Sequence, residues 1–356
     1  MRKSFVRAAV ATGLLASSAL VAPFVGSVLA ADIEIVPPPP IIPAPMVVEE
    51  VPRFYFLAGA LFVTRKSPEP APILIEAPTP QAAEALPGGL PPGDILDASD
   101  FDFGWTFGFY ARAGVITPSN LGVEVGGFWL KPMTATVTGD FDLDPIGVFL
   151  QTDDETFYER IEAFEAANTT RLYGLDANVV LQPNAGPLQL YAGVAYLRLR
   201  DALDLTLTQA TNPTTDFVFD WETSNRLIGP QIGARVFLGD ADPFSLTLDA
   251  RVGYLRNAYT NAFSHMGTGG LIEGDDSGKV WSFMAAGGVT ANFALNENLH
   301  LNVGYQAIFL NNVALAPHQV IGTPGPLGTG PETLDLTTYT SHVLFHGVSA
   351  GITLLF

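Results

Sequence analysis

The chain has 356 residues, with 17 Lys and Arg against 36 Asp and Glu, a formal net charge of −19 and no cysteine. A polyanion has no basic field with which to displace counterions from phosphate, which argues against nucleic acid as a partner. With no cysteine, an exported chain needs no disulfide machinery.

In chain order, Arg2, Lys3 and Arg7 precede an uncharged apolar run, Ala8 to Leu29, and Val28 and Ala30 are small residues before a cut. This predicts a secretory signal over 1–30 and a mature chain from Ala31. A retained membrane helix is the alternative, since the run is long enough. However, Gly, Ser and Pro interrupt it, and no positive flank follows. Removing 1–30 takes the net charge to −22, because three basic and no acidic residues leave. Residues 31–52 form a proline-rich leader, a stiff and extended spacer. A second proline cluster, 68–92, reads as a long loop.

From 53 the pattern turns to period two. Strands are predicted at about 54–64, 102–116, 121–133, 170–182, 188–205, 224–238, 244–258, 280–294, 298–311 and 342–356. In 281–293 the odd positions, Trp281 to Phe293, are apolar or small, and the even ones are small or polar. Connections alternate between short (117–120, 183–187, 239–243, 295–297) and long (65–101, 134–169, 206–223, 259–279, 312–341). Tight turns at one end and long loops at the other are the asymmetry of an outer-membrane barrel. The expected fold is therefore an all-β, transmembrane, antiparallel up-and-down barrel of about ten strands, or twelve, over 53–356. A soluble lipocalin-type barrel shares the alternation with the apolar face inward. The small, polar, sparsely charged parity favours a lumen. So does the ending in Leu354, Leu355 and Phe356, where Phe356 is the candidate assembly signal for barrel insertion machinery.

Four segments carry a family resemblance. They are GWTFGFYARAGVITPSNLGVEVGGFWL from Gly104, RLYGLDANVVL with LYAGVAYLRLRDALDL from Arg171 and Leu190, NRLIGPQIGARVFL from Asn225, and LHLNVGYQAIFLNNVALAPHQ from Leu299. In this order they resemble a β-barrel porin family of diderm bacterial envelopes, over about Phe54 to Phe356. The resemblance implies an outer-membrane barrel. Two departures are Ala195, where a basic residue is expected, and Leu315–Ala316, where an Arg before Pro317 is expected.

Six charged residues share the polar parity: Arg112, Glu124, Asp176, Arg235, Asp249 and Arg251. The turns bring Arg112 near Glu124 and Arg235 near Asp249, with Gln231 near Arg251. Charges in a narrow interior must be paired or watered. These seven are the candidate lumen network, either a plug or a polar constriction that selects solutes. Acidic loop clusters (Asp94, Asp97, Asp100, Asp102; Asp140, Asp142, Asp144, Asp153, Asp154, Glu155; Glu273, Asp275, Asp276) are solvated surface or divalent-cation sites. DETFYERIEAFEAA from Asp154 has helical spacing. The histidines (His265, His300, His318, His342, His346) have no metal spacing and no assigned carboxylate partner. The expected protein lies in the outer membrane among its lipids, as a porin-like or envelope-structural barrel with a narrow or plugged polar lumen. The alternative is a surface binding or adhesion module using the acidic loops. A loop-borne hydrolase comes last; no enzyme activity and no cofactor are expected.

Overall fold

The computed structural model describes residues 52–76, 94–141, 146–153, 156–183, 186–210, 216–239, 243–267, 270–324 and 332–356. The expected signal, the leader up to residue 51, and Asp142, Asp144, Asp154 and Glu155 of the acidic loops lie outside them.

Fifteen strands form one sheet. In chain order they are β1 (Arg53–Arg65), β2 (Pro72–Glu76), β3 (Asp94–Asp97), β4 (Thr106–Ile116), β5 (Leu121–Leu130), β6 (Met133–Asp140), β7 (Ile146–Leu150), β8 (Thr156–Leu181), β9 (Leu188–Gln209), β10 (Phe217–Leu238), β11 (Phe244–Gly267), β12 (Gly270–Asn296), β13 (Leu299–Val313), β14 (Glu332–Asp335) and β15 (Ser341–Leu355). Ten of them close a ring: β1, β4, β5, β8, β9, β10, β11, β12, β13 and β15, with β15 pairing back to β1. Every ring neighbour is antiparallel, so the expected ten-stranded up-and-down barrel is the fold. The turn at 117–120 is closed by the Asn120 N–H donating to the Thr117 carbonyl at 2.9 Å, with Asn120 left-handed at φ 63°. Asn tolerates that conformation better than most side chains.

At the turn end of the barrel, side chains alternate between an apolar outward face and a polar inward face. On β10, Ile228 and Ile232 are exposed while Gln231 and Arg235 are buried. On β5, Val123 and Val125 face out around the buried Glu124. An apolar exterior over a polar interior is stable only where lipid replaces water outside. Among the described residues no helix is long and apolar enough to cross a membrane.

Two expectations are corrected. The segment from Asp154 is not a helix: from Thr156 onward it is the outer part of β8. Tyr158, Ile161 and Phe164 point inward at three-residue spacing because the pairing register shifts between Ile161 and Ala163, beside Arg160 at φ 59°. A bulge inserts an extra residue and imitates a helical period. The second correction concerns the loops 134–169, 206–223 and 259–279, whose described residues are largely strand. β9 and β10 pair from Leu188 to Leu207, and β11 and β12 pair out to Gly267 and Gly270.

These extensions reverse the pattern of the membrane part. Beyond Leu197 on β9 and Leu227 on β10 the inward face becomes mainly apolar, broken by the buried Asp201, Thr223 and Asn225. Leu199, Leu203, Leu205, Leu207, Phe219 and Trp221 are almost fully buried there. They pack around inserted chain: Ile73 and Leu74 of β2, Leu96 of β3, Phe101, and the 3-10 turn Ala316–Gly322.

Candidate functional site

The lumen at the turn end holds the seven sequence-predicted polar residues, and the structure brings all of them into one neighbourhood. Glu124 is its centre, with a side chain fully withdrawn from solvent. It accepts hydrogen bonds from both terminal nitrogens of Arg235, at 2.9 and 3.2 Å, and pairs with Arg112 Nε at 3.3 Å. Arg235 Nε also donates to Asp249 at 3.0 Å. Asp176 lies between Arg251, at 3.3 Å, and Arg112, at 3.8 Å. Gln231 donates to Asn178 at 2.8 Å rather than meeting Arg251 as expected. The alternating signs across β4, β5, β8, β10 and β11 tie opposite walls together, which a lone pair could not do.

Four residues complete the network that sequence reasoning missed. Tyr55 donates its hydroxyl to Glu124, and Tyr191 donates to both oxygens of Asp249, at 3.0 and 3.1 Å. Gln189 accepts from Arg235 at 2.7 Å, and Asn178 donates to Asp176 at 2.6 Å. All four share the inward parity. The two tyrosine rings lie along the wall over glycines. A Cβ built on Gly233 would stand 2.4 Å from the Tyr191 ring, and one on Gly114 would stand 2.5 Å from that of Tyr55. Only glycine admits an aromatic ring there. Beside the network a cavity of about 760 Å³ extends to the turn end, where Gln182, Glu297 and Asn298 border it.

Above this layer the barrel is filled. The segment 314–323 enters between β9, β10 and β11 and is held by polar side chains on an otherwise apolar wall. The Asn225 amide donates to the Ala314 carbonyl at 2.7 Å and accepts from the Ala314 N–H at 2.8 Å, as a strand neighbour would. Thr223 donates to the same carbonyl at 3.0 Å. Asp201 accepts from the Ala316 N–H at 3.0 Å and from Arg65 at 2.6 Å, and neither member of that ion pair is exposed. Gln319 donates to the Leu315 and Tyr339 carbonyls at 2.8 and 2.9 Å, and Trp221 Nε1 donates to Thr323 at 2.9 Å. Buried backbone must be bonded, and these residues supply the partners. The resemblance segments from Asn225 and Leu299 thus meet inside the barrel, the first contributing the anchor and the second the inserted chain.

Among the acidic loop residues, Asp97 caps the turn Ala98–Asp100, accepting from the Ser99 N–H at 2.7 Å, and Asp276 accepts from Thr338 at 2.5 Å. Among the described residues no group of three or more His, Asp or Glu could hold a metal ion. His342 Nδ1 stands 3.4 Å from Glu69, but both side chains are about half exposed. Phe356 continues β15, its N–H donating to the Phe54 carbonyl at 2.9 Å.

The architecture is that of a membrane-spanning β-barrel. No protein-family model and no curated protein matches the sequence. Among solved structures, the outer membrane protease OmpT of Escherichia coli aligns over 87% of this chain and 98% of its own, at 10% identity and a TM-score of 0.37. The translocator domain of the autotransporter NalP from Neisseria meningitidis aligns over 85% and 88%, at 10% identity and a TM-score of 0.34. A FadL homologue of Pseudomonas aeruginosa aligns over 86% and 90%, at 9% identity and a TM-score of 0.24. Likeness at this level says nothing about activity.

Proposed function

We propose that the protein is a closed outer-membrane barrel, porin-like in its wall and envelope-structural in its role, with no conducting path at rest. The observation that carries this is the inserted segment 314–323, bonded to Asn225, Thr223 and Asp201 inside the outer half of the barrel. A selective pore needs a continuous polar path. Here the polar layer around Glu124 is capped by Leu61, Leu130, Val343 and Phe345, all nearly fully buried. In this reading the loops carry no catalytic residues, β15 with Phe356 is the strand met by insertion machinery, and the acidic loops are solvated surface open to divalent cations.

Purified protein in planar lipid bilayers tests it. The wild type is expected to show no steady current. The double change Thr223→Ala and Asn225→Ala removes three of the bonds that hold Ala314. Each buried group left unpaired costs about 1–3 kcal/mol, so this variant is expected to flicker open. Large steady conductance from the wild type would overturn the closed barrel.

A further inference from the structure

The outer wall carries a basic belt that neither the lumen nor the closed state explains. On each of five consecutive strands the outward face changes from apolar to polar at nearly the same level. Arg171 follows Tyr173 on β8, Arg198 and Arg200 follow Tyr196 on β9, Arg226 follows Ile228 on β10, Arg256 follows Tyr254 on β11, and Lys279 follows Trp281 on β12. The registers put five of them in two adjacent rows, with Arg256 one rung below, between Ile228 and Trp281. One row runs Tyr173, Arg198, Arg226, Ala258, Lys279, and the next runs Arg171, Arg200, Ser224, Thr260, Ser277. Six of the chain's 17 basic residues are gathered here, on a protein of net charge −19.

The fold does not neutralise them. Arg198 stands directly opposite Arg226, and Arg171 directly opposite Arg200. Like charges directly opposite across strands are destabilising. Among the described residues none of the six forms an ion pair, and the Nε atoms of Arg198 and Arg200 are buried without a partner. The belt is also one-sided: exposed Lys131 follows Trp129 past β5 and exposed Lys66 follows β1, whereas β13, β15 and the stretch before β4 carry no Lys or Arg and expose Tyr305, Val348 and Trp105.

Height identifies the ligand. On β12 the lipid-facing row runs from Phe293 to Trp281, twelve residues. At ~3.3 Å per residue and a tilt of roughly 40° this spans about 30 Å, the hydrocarbon thickness of a bilayer. Lys279 stands about 5 Å further out, in the headgroup layer. Tyr254 and Trp281, stacked at 4.7 Å, mark that interface from below. From Arg198 to Lys279 the row crosses three strand spacings, about 14 Å, enough for more than one phosphate.

We propose that this face of β8–β12 binds the phosphate groups of a phosphorylated glycolipid of the lipid A type in the outer leaflet. The proposal rests on the barrel lying in the outer membrane with its long hairpins outward, and not on the closed lumen. The test uses the full-length mature protein in non-ionic detergent, titrated with bisphosphorylated lipid A, dephosphorylated lipid A, phosphatidylglycerol and inorganic phosphate, with bound lipid counted by native mass spectrometry. The expected result is saturable binding of bisphosphorylated lipid A, at least tenfold weaker for the dephosphorylated form and for phosphatidylglycerol, and no competition by millimolar inorganic phosphate. The triple change Arg198→Gln, Arg226→Gln and Arg256→Gln is expected to weaken binding at least tenfold while heat-modifiable gel migration stays that of a folded barrel. If the triple variant fails to insert, Arg226→Gln with Lys279→Gln serves instead, with at least a threefold loss. Equal binding by variant and wild type, or by the two lipid A forms, overturns the site. Competition by inorganic phosphate makes it a free-anion site and overturns the lipid assignment. Bilayer conductance is read separately, so a conducting barrel that still binds lipid A would defeat the closed lumen and leave this proposal standing.

Discussion

Replacing Glu124 with Gln tests whether the lumen network is dry. In the native barrel this carboxylate meets Arg235 through two hydrogen bonds, Arg112 at 3.3 Å and the Tyr55 hydroxyl, with no solvent exposure of its own. Without its charge, Arg235 keeps Asp249 and Gln189, but Arg112 is left with Asp176 at 3.8 Å. Removing one partner of a buried pair costs about 3–5 kcal/mol, and the retained amide and the remaining acids put Glu124→Gln near the lower end, about 3 kcal/mol. Asp249 is different, because its side chain is 27% exposed and opens on the cavity. Screening there brings Asp249→Asn to about 1 kcal/mol. The double variant Glu124→Gln with Arg235→Gln removes both charges, and its loss should fall at least 2 kcal/mol short of the sum of the singles, a coupling typical of contacting groups. The assay is urea unfolding from lipid vesicles, followed by tryptophan fluorescence and the gel migration of the folded form. Equal losses below about 1 kcal/mol for Glu124→Gln and Asp249→Asn, with no coupling, would show water solvating the charges and would refute the dry network.

Other perturbations separate the outer half from the membrane half. Burial holds the His265 imidazole, on the outer part of β11, below the usual histidine range, against the opposing effect of its bond to the Val218 carbonyl. Stability from a group lowered in this way is present above its unfolded pKa, about 6.5, and is lost as pH falls through the folded value. The outer half should therefore be less stable at pH 5 than at pH 7.5. His265→Phe, which keeps the stack on Phe219 at 4.2 Å, should flatten that slope; an unchanged slope in hydrogen exchange would refute the assignment. Burial and then the charge of Asp220, directly opposite, raise the Asp204 carboxyl above its usual range. A raised carboxyl destabilises the fold once pH exceeds its folded pKa, so Asp220→Asn should gain a few tenths of a kcal/mol at pH 7 and nothing at pH 3. Gly233→Ala should displace the Tyr191 ring and loosen Asp249, lowering the urea midpoint without changing the strand content seen by far-UV circular dichroism.

The ten ring strands were legible because lipid outside and polar lumen inside give each strand a two-residue period. The lumen residues were legible because charge on the inward parity is rare and conspicuous. What stayed hidden is the length of β8 to β12. At Arg226 the outward parity turns from apolar to charged, and beyond Leu227 the inward parity turns to Trp221 and Phe219 after the two polar anchors Asn225 and Thr223. A pattern that inverts its sign reads as the end of a strand, although the backbone continues for a further ten residues to Phe217. The anchors Asp201, Thr223 and Asn225 were hidden for a related reason. Their role is to bond the backbone of a segment about ninety or more residues away, and no periodicity carries that pairing.

The inversion has an energetic consequence. In the membrane part, apolar side chains face lipid, so their contact with one another gains little from leaving water, and side-chain order in the lumen depends on the Glu124 network. In the outer part, Leu199, Leu203, Phe219 and Trp221 leave water for a core, and each large side chain contributes roughly 1.5–3 kcal/mol. The outer half therefore has its own hydrophobic driving force, one that the membrane half lacks. The inserted segment 314–323 belongs to that aqueous core, packed by Val320 and Leu315 as well as hydrogen-bonded. Opening the lumen would expose the core to water, so the cap over the polar layer is held by the folding energy of the outer half. A passive channel requires no such linkage, and it is this linkage, more than the narrowness of a ten-stranded ring, that favours the proposed closed barrel.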